Sequence, residues 1–354
     1  MSFSRILGQE RAKRFLKEAM ARERIPHAYL FTGIPGIGKT SMAIAMAMAL
    51  NCRKPINAEG CGDCVHCRQM LGGNFPDFVS IKPEGPNIKI QQIRDLSRAL
   101  SFAPVSGKYR VCIIYQAQTI TIEAANSLLK TLEEPPSGNI LILNAPEPLA
   151  LLPTIVSRCQ RVPFQPLPVQ DIMDWLVKEK GLNEEEAKVL ARISAGSLGR
   201  AFKMSGSGFL DKREQWLTRI IRLPALSRDG ALEMALECAL ENKKVNIDSS
   251  AGVEDGIMDM LAIWESWYRD LLCVRVGGPI RSLINMDFSR KLQNIAENYK
   301  IDRLVDSLLM IDQAQRDLRR MRNAALVMEH TVLGLNRLAG DGKRSDSSVP
   351  RMYD

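Results

Sequence analysis

Aromatic residues are scarce in this sequence, at 6% of its 354 residues. A broad aromatic surface for stacking nucleic-acid bases is therefore not expected. Apolar runs of membrane-spanning length are missing, and residues 1–5 lack the apolar segment of a signal peptide. We therefore expect a cytosolic protein with no membrane partner. In the cytosol, the eight cysteines favour a metal site or free thiols over disulfides.

The remaining composition is that of an ordinary globular protein. Apolar residues make up 45% of the chain and charged residues 25%, and the length suggests two or three domains. The net charge of +8 is compatible with binding to nucleic acid. A solvated basic surface gives the same excess, so the charge alone does not establish such a partner.

A glycine-rich segment at residues 33–40, with the sequence GIPGIGKT, predicts a nucleotide site. It follows a short apolar run at 28–31 and precedes an alanine- and methionine-rich helix at 41–50, which is the context of a phosphate-binding P-loop. In such a loop, backbone N–H groups and the helix N-terminus bind the phosphates. The alternative is a glycine-rich turn with a chance lysine.

The side chains of this loop have separate expected roles. Lys39 is expected to reach the β- and γ-phosphates of ATP or ADP, and Thr40 is expected to offer its hydroxyl to Mg²⁺. The predicted nucleotide-binding residues are Gly33, Gly36, Gly38, Lys39, Thr40 and Ser41.

In an ATPase, a strand next to the P-loop strand ends in a carboxylate that binds Mg²⁺. The corresponding strand of this sequence ends without a carboxylate. The predicted strand at 111–114 continues into Tyr115 and Gln116, and no carboxylate occurs between Val111 and Ile122. Hydrolysis needs an aspartate for Mg²⁺ and commonly a glutamate for the attacking water. Gln116 could orient water, but Tyr115 cannot replace a carboxylate that binds Mg²⁺. We therefore expect hydrolysis to be slow or absent, and the sequence does not decide whether Mg²⁺ binds.

Strands and helices alternate from residue 28 to residue 164, which predicts a three-layer α/β domain with a parallel sheet. A proline-rich stretch at 163–168 marks its end, and helical patterns without a convincing strand follow it. A glycine- and serine-rich linker is predicted at 205–208. The predicted domains are 1–165 (α/β nucleotide-binding), 166–204 (small helical) and 209–339 (helical C-terminal), with a disordered tail at 340–354.

Four cysteines lie close together in the sequence as C-x8-C-x2-C-x2-C. Four thiolates at this spacing can close a tetrahedral Zn²⁺ site, and because no ligand position stays open for water, such a site would be structural. The alternatives are a redox dithiol or uncombined thiols. His66 could replace one of the cysteines but is more simply placed outside the site. The predicted metal ligands are Cys52, Cys61, Cys64 and Cys67.

Three further segments carry a family resemblance: ANSLLKTLEEPP at 125–136, SRC at 157–159 and GSLGR at 196–200. Together with the P-loop and the four cysteines, they resemble the clamp-loader branch of the AAA+ ATPases. The resemblance covers residues 3–200 with specific motifs and continues more loosely through 323–329. It implies an AAA+ module, made of an α/β P-loop NTPase domain and a small helical lid, followed by an all-α collar domain for oligomerisation.

The resemblance also implies roles for individual residues. Arg158, in the SRC segment, is expected to act as an arginine finger on the ATP of a neighbouring subunit. Without the resemblance, it would be interpreted as a surface arginine. Asn144 corresponds to the polar residue known as sensor 1. The sensor 2 arginine of motor subunits corresponds to Gly199, with Arg200 one place later, and this departure favours a non-motor subunit.

The partners that the resemblance implies are the motor subunits (γ or τ) and the δ subunit of a bacterial DNA polymerase III clamp loader, the β sliding clamp, and primer–template DNA. We therefore expect a non-motor subunit that helps to load the clamp onto primed DNA during replication. Two alternatives remain open. One is a motor subunit that hydrolyses ATP itself, and the other is a zinc-containing nucleic-acid-binding protein with a vestigial ATP-binding fold.

Overall fold

The computed structural model describes residues 2–206, 208–241 and 253–340. The predicted tail lies outside these ranges from residue 341 onward. Within them, no helix is both long enough and apolar enough to cross a membrane. The chain forms two compact units, of which the first comprises Met1–Gly181 with Ser194–Lys203, and the second comprises Leu182–Ile193 with Met204–Asp354.

The first unit contains a five-stranded sheet in the order β2-β3-β4-β1-β5. Its strands are β1 (Ala28–Thr32), β2 (Phe78–Ile81), β3 (Arg110–Ile114), β4 (Asn139–Ala145) and β5 (Gln160–Pro163). All neighbouring strands of this sheet run parallel, and every residue of β1, β3 and β4 is buried. A parallel sheet covered on both faces needs continuous apolar runs of this kind. The predicted α/β fold is confirmed.

Helices cover both faces of the sheet. Tyr29 and Phe31 belong to a core that contains most of the helix following β1. Leu30, between them, belongs to a second core with the helices on the other face. This alternation follows from the two-residue period of a strand, and it produces the predicted three layers. The helices are α1 (Glu10–Ala21), α2 (Lys39–Asn51), α3 (Val65–Leu71), α4 (Ile90–Leu100), α5 (Ile122–Glu133), α6 (Pro153–Val156) and α7 (Val169–Lys180).

The described part of the second unit is helical, as predicted for the C-terminal region. Trp264 and Trp267 are buried in it, and the indole N–H of Trp264 donates to the backbone carbonyl of Trp216 at 2.9 Å. The division of the chain into three domains stays a prediction. The helices are α8 (Glu184–Ile193), α9 (Leu198–Met204, which begins in the first unit), α10 (Phe209–Arg222), α11 (Arg228–Glu241), α12 (Val253–Arg275), α13 (Ser289–Ala296), α14 (Ile301–Arg319) and α15 (Ala324–Gly340).

A buried ion pair closes the loop that leads into β3. The side chains of Asp77 and Arg110 are 0% and 7% exposed, and Oδ1 of Asp77 lies 3.3 Å from Nη2 of Arg110. The carboxylate accepts N–H bonds from residues 105–107, and the guanidinium donates to the carbonyls of residues 102–103. Burial raises the pKa of Asp77, but these N–H donors and Arg110 outweigh it and hold the pKa below its usual value.

We predict that Asp77→Ala lowers the free energy of unfolding by about 3–5 kcal/mol, because Arg110 stays buried without its carboxylate partner. Urea unfolding at pH 7 measures this loss. In the wild type, the stabilisation is fully present above the usual aspartate pKa of 3.8 and is lost as the pH falls through the lower folded-state pKa.

The matched control is Asp95→Ala, which removes the exposed ion pair with Arg98. This variant should lose less than about 1 kcal/mol, since exposed pairs are screened by solvent. Equal losses in the two variants would contradict the structural role of Asp77.

Candidate functional site

The P-loop connects the carboxyl end of β1 to the first residue of α2. At its start, the N–H of Gly33 donates to the carbonyl of Pro146 at 2.9 Å, which fixes the loop beside the end of β4. At its end, Gly38 is the N-terminal cap of α2 with a φ of 104°, a conformation that suits glycine. Because α2 begins directly after this turn, its first N–H groups are available to an anion in the loop.

The ammonium group of Lys39 is turned onto the P-loop itself. Its Nζ donates to the carbonyl oxygens of Gly33 and Ile34, the latter at 2.9 Å. Burial lowers the pKa of Lys39 to about 8, since desolvation disfavours the charged form. A phosphate group bound in the loop would place negative charge next to this amine and raise its pKa again.

Asn144, the predicted sensor 1 residue, lies beside the P-loop near the carboxyl end of β4, where β4 pairs with β1. Its Nδ2 is 3.4 Å from Oγ1 of Thr40. Its Oδ1 is buried and has no hydrogen-bond partner within the described ranges. Since a buried amide oxygen needs a donor, this position suits a water molecule, including one from the hydration shell of Mg²⁺.

Tyr115 follows the carboxyl end of β3, where a hydrolysing P-loop protein has its Mg²⁺-binding carboxylate. Nζ of Lys82 lies 5.4 Å from the centroid of its ring, within cation–π distance. Burial raises the pKa of the Tyr115 phenol, so the phenol is neutral at pH 7. Mg²⁺ prefers carboxylate and phosphate oxygens, and a neutral phenol next to a cation does not supply one. This arrangement agrees with slow or absent hydrolysis, which stays a prediction.

The first turn of α9 packs directly on the P-loop backbone. Oγ of Ser197 donates to the carbonyl of Pro35 at 2.8 Å, and the N–H of Gly199 donates to the carbonyl of Gly36 at 2.8 Å. A Cβ atom on Gly199 would lie 2.8 Å from Cα of Gly36, so a side chain fits there only if the backbones move apart. This close approach is a physical reason for a glycine at position 199. According to the resemblance, the motor subunits of clamp loaders have the sensor 2 arginine at this position. The sequence pattern does not reveal the role of Ser197.

Arg158 lies at the amino end of the strands, whereas the P-loop lies at their carboxyl end. Two residues after it, Gln160 of β5 pairs with Tyr29 near the amino end of β1, whereas the P-loop follows the carboxyl end of β1. At about 3.3 Å per residue, the two positions are on the order of 20 Å apart along the strand. Arg158 is therefore too far away to contact a nucleotide in its own P-loop, so any nucleotide that it contacts belongs to another chain.

The guanidinium of Arg158 is held at the surface by two neighbours. Its Nη2 donates to Oε1 of Glu133 at 2.5 Å, and its Nη1 donates to the carbonyl of Thr154 at 2.9 Å. The Arg158 side chain is 34% exposed, so it is accessible to a partner. The sequence motifs assign no role to Glu133. The signal that points to it is an acidic residue in the last turn of a helix, where the helix dipole disfavours negative charge.

The four predicted metal ligands form one cluster. Their Sγ atoms lie within 4.8 Å of one another, and the Cys52–Cys64 and Cys61–Cys67 pairs are each separated by 4.0 Å. A tetrahedron with Zn–S bonds of about 2.3 Å requires about 3.8 Å between sulfurs. The N–H groups of Cys61 and Cys64 donate to sulfur atoms of the cluster, which favours thiolates. The cluster could therefore hold a metal ion.

His66 lies outside this cluster. Its Nδ1 is 2.8 Å from the carbonyl oxygen of Asn51, and its ring packs against Phe75. Cys52 is the C-terminal cap of α2. The cysteine cluster is therefore attached to the far end of the helix that begins at the P-loop.

Comparison with known proteins finds similarity to subunits of DNA polymerase III. A family model described as "DNA polymerase III, delta subunit" matches residues 8–168. DNA polymerase III subunit delta′ of Bacillus subtilis is 30% identical over 327 residues, which span 92% of this chain and 96% of that protein. Subunit tau of the same organism is 28% identical over 94% of this chain but only 61% of its own length. A gamma subunit-related structure from Thermotoga maritima covers 94% of this chain and 99% of its own at 18% identity, with a TM-score of 0.41.

We predict that Lys39→Ala weakens nucleotide binding by about 10- to 100-fold, because a charged hydrogen-bond donor to the phosphates is lost. Titration of the chain with a fluorescent ATP analogue measures the affinity. Lys188→Ala, which removes an exposed lysine of α8, is the control and should bind as the wild type does. Equal affinity of the wild type and Lys39→Ala would show that the loop does not bind phosphates through this lysine.

Proposed function

Because the chain belongs to the family of DNA polymerase III delta′ subunits, we propose that it is a non-motor subunit of a bacterial clamp loader. It assembles with the motor subunits (γ or τ) and with δ, and the complex loads the β sliding clamp onto primed DNA in the cytoplasm during replication. The subunit itself supplies an arginine to a neighbour's ATP and does not turn over ATP readily.

This proposal rests on one observation, that the P-loop and Arg158 lie at opposite ends of the strands. At the carboxyl ends, beside the P-loop, Tyr115 and Lys82 stand in place of a Mg²⁺-binding carboxylate. At the amino ends of the strands lies Arg158, which is partly exposed and remote from the P-loop of its own chain. Such a subunit is poorly equipped for hydrolysis at its own site but can stabilise negative charge on a phosphoryl group held by another chain.

The chain's own P-loop acts as a site that holds nucleotide. Backbone N–H groups of Gly36 and Gly38 and the N-terminus of α2 would bind the phosphates, and Lys39 would turn from the loop carbonyls to them. Thr40 and Asn144 are the residues positioned to contact Mg²⁺ or its water ligands. When bound, Mg²⁺ would neutralise phosphate charge, but the missing carboxylate leaves it weakly held.

The cysteine cluster holds one structural Zn²⁺ in this proposal. Four sulfur ligands fill a tetrahedral site completely, so no position is left for a reacting water. The ion would fasten the segment at 52–67 to the C-terminal end of α2. The net charge of +8 supports contact with the phosphates of primer–template DNA inside the assembled complex.

The three-domain division completes the proposal. Residues 1–165 form the nucleotide-binding domain, 166–204 form the lid and 209–339 form the collar through which the subunits assemble. The direct packing of α9 on the P-loop supports the assignment of this helix to the lid.

A motor subunit is the second candidate. The complete P-loop and the similarity to a tau subunit favour it. The chain alone would then hydrolyse ATP with a turnover that Lys39→Ala removes. Absence of turnover above the background of the Lys39→Ala variant would exclude this candidate.

We predict that Arg158→Ala lowers the DNA- and clamp-stimulated ATP turnover of the loader reconstituted with γ or τ and δ. Removing an arginine finger costs a factor of about 10³ or more at the ATP site that it serves. Assembly of the complex, measured by size-exclusion chromatography, should be unchanged.

Two variants sharpen this experiment. Arg158→Lys keeps the charge but loses the planar fork that binds phosphate oxygens in pairs, so it should restore only a small part of the turnover. Arg161→Ala, three residues along on β5 and exposed, should retain it. Unchanged turnover in Arg158→Ala would remove the arginine-finger assignment.

For the metal site, we predict about one Zn²⁺ per purified chain by metal analysis. Cys64→Ser should lower the zinc content and the thermal stability together, whereas Cys273→Ser, outside the cluster, should retain the metal. A folded wild-type chain without metal would contradict the proposal.

A further inference from the structure

We infer that Glu133 is a positioning residue, which orients the guanidinium of Arg158 for the ATP of the neighbouring subunit. This inference rests on the proposed function of Arg158. Its basis is the 2.5 Å contact between Oε1 of Glu133 and Nη2 of Arg158, together with the 2.9 Å bond from Nη1 to the carbonyl of Thr154. A carboxylate and a carbonyl thus fix both terminal nitrogens of one planar group.

The position of Glu133 in its helix supports a role beyond helix formation. It is the last residue of α5, and Pro135 limits the helix by restricting the conformation of Glu134 before it. A negative charge at a helix C-terminus is unfavourable, because the last carbonyl groups already carry partial negative charge. The Arg158 guanidinium offsets this repulsion, so the pair explains an acidic residue at an otherwise unsuitable place.

The backbones that carry the two side chains are fixed by one core. Leu132, next to Glu133, is buried in the same cluster as Ile155 and Cys159, which flank Arg158 on either side. Ser157 and Arg158 also close the turn after α6, since the N–H of Arg158 donates to the carbonyl of Ile155 at 3.1 Å. The distance between the two Cα positions is therefore set by packing, and only the side-chain rotamers remain for the ion pair to select.

The exposure of the pair indicates orientation rather than stability as its effect. The side chains of Arg158 and Glu133 are 34% and 49% exposed, and ion pairs as exposed as this add little to folding stability. A long arginine side chain, however, loses rotamer freedom when it is ordered at an interface. By ordering it in advance, Glu133 reduces that loss at the moment when the guanidinium meets a phosphate. The remaining N–H donors of the guanidinium are suited to the phosphate oxygens.

Glu133→Gln in the reconstituted loader tests the inference. The amide has the same shape but no charge, so it holds the guanidinium less firmly. The stimulated turnover number for ATP should fall roughly threefold to fivefold, in line with the small coupling of exposed charge pairs. The KM for ATP should be unchanged, because the P-loop that binds the nucleotide belongs to the neighbour.

The same substitution in the Arg158→Ala background separates positioning from a structural role. A residue that acts only through Arg158 has no further effect once Arg158 is gone, so the double variant should turn over ATP at the rate of Arg158→Ala. The melting temperature and assembly of Glu133→Gln should match those of the wild type. Glu134→Gln, one residue later and exposed, is the matched control and should retain full turnover.

Each other outcome overturns a defined claim. If Arg158→Ala leaves turnover unchanged, the proposed function of Arg158 fails first. If Arg158→Ala lowers turnover but Glu133→Gln does not, or raises it, the positioning role alone fails. An equal loss from Glu133→Gln in both backgrounds, or a loss of assembly, assigns Glu133 to the interface or the fold instead.

Discussion

All five strands of the sheet run in the same direction, and this determines which residues lie close together. The strand β1 is paired with β4 on one side and with β5 on the other. Because the strands are parallel, the segments that follow them meet at the carboxyl ends of the strands, and the segments that precede them meet at the amino ends. Lys39, Tyr115 and Asn144 lie at the carboxyl ends of the strands, and Arg158 lies at their amino ends. The P-loop and the arginine that we propose to serve a neighbour's ATP therefore lie at opposite ends of the strands. Copies or relatives arranged head to tail would bring unlike ends together, which is the property of a heterologous interface.

The P-loop has a structural role in addition to any binding of nucleotide. The carbonyls of four consecutive residues, 33–36, accept bonds from Lys39, Ser197 and Gly199, and the N–H of Gly33 is tied to the end of β4. The loop thus joins the strand, the first helix after it and the start of α9. These contacts give the loop a structural role in a chain that has Tyr115, and no carboxylate, directly after β3.

Local patterns in the sequence predicted the parts of this structure that local physics determines. The apolar runs of β1, β3 and β4 predicted buried parallel strands, the glycines at 33–38 predicted the turn into α2, and the spacing of four cysteines predicted their cluster. The ion pairs Asp77–Arg110 and Glu133–Arg158 and the contact of Ser197 with the P-loop were not predictable in this way. Each joins residues that are distant in the chain, so its existence depends on the packing of whole elements. The family resemblance supplied a role for Arg158, whereas only the geometry shows what holds it.

The contact between Gly199 and Gly36 also limits how this chain could have changed over evolutionary time. The two backbones are so close that even one additional carbon at position 199 would lie 2.8 Å from the opposing Cα. An arginine at position 199 would require a shift of the whole helix before its side chain could be accommodated. Such a change passes through poorly packed intermediates, so it would need compensating substitutions in α9 or in the P-loop. The packing of these two glycines thereby restricts which residues position 199 can accept.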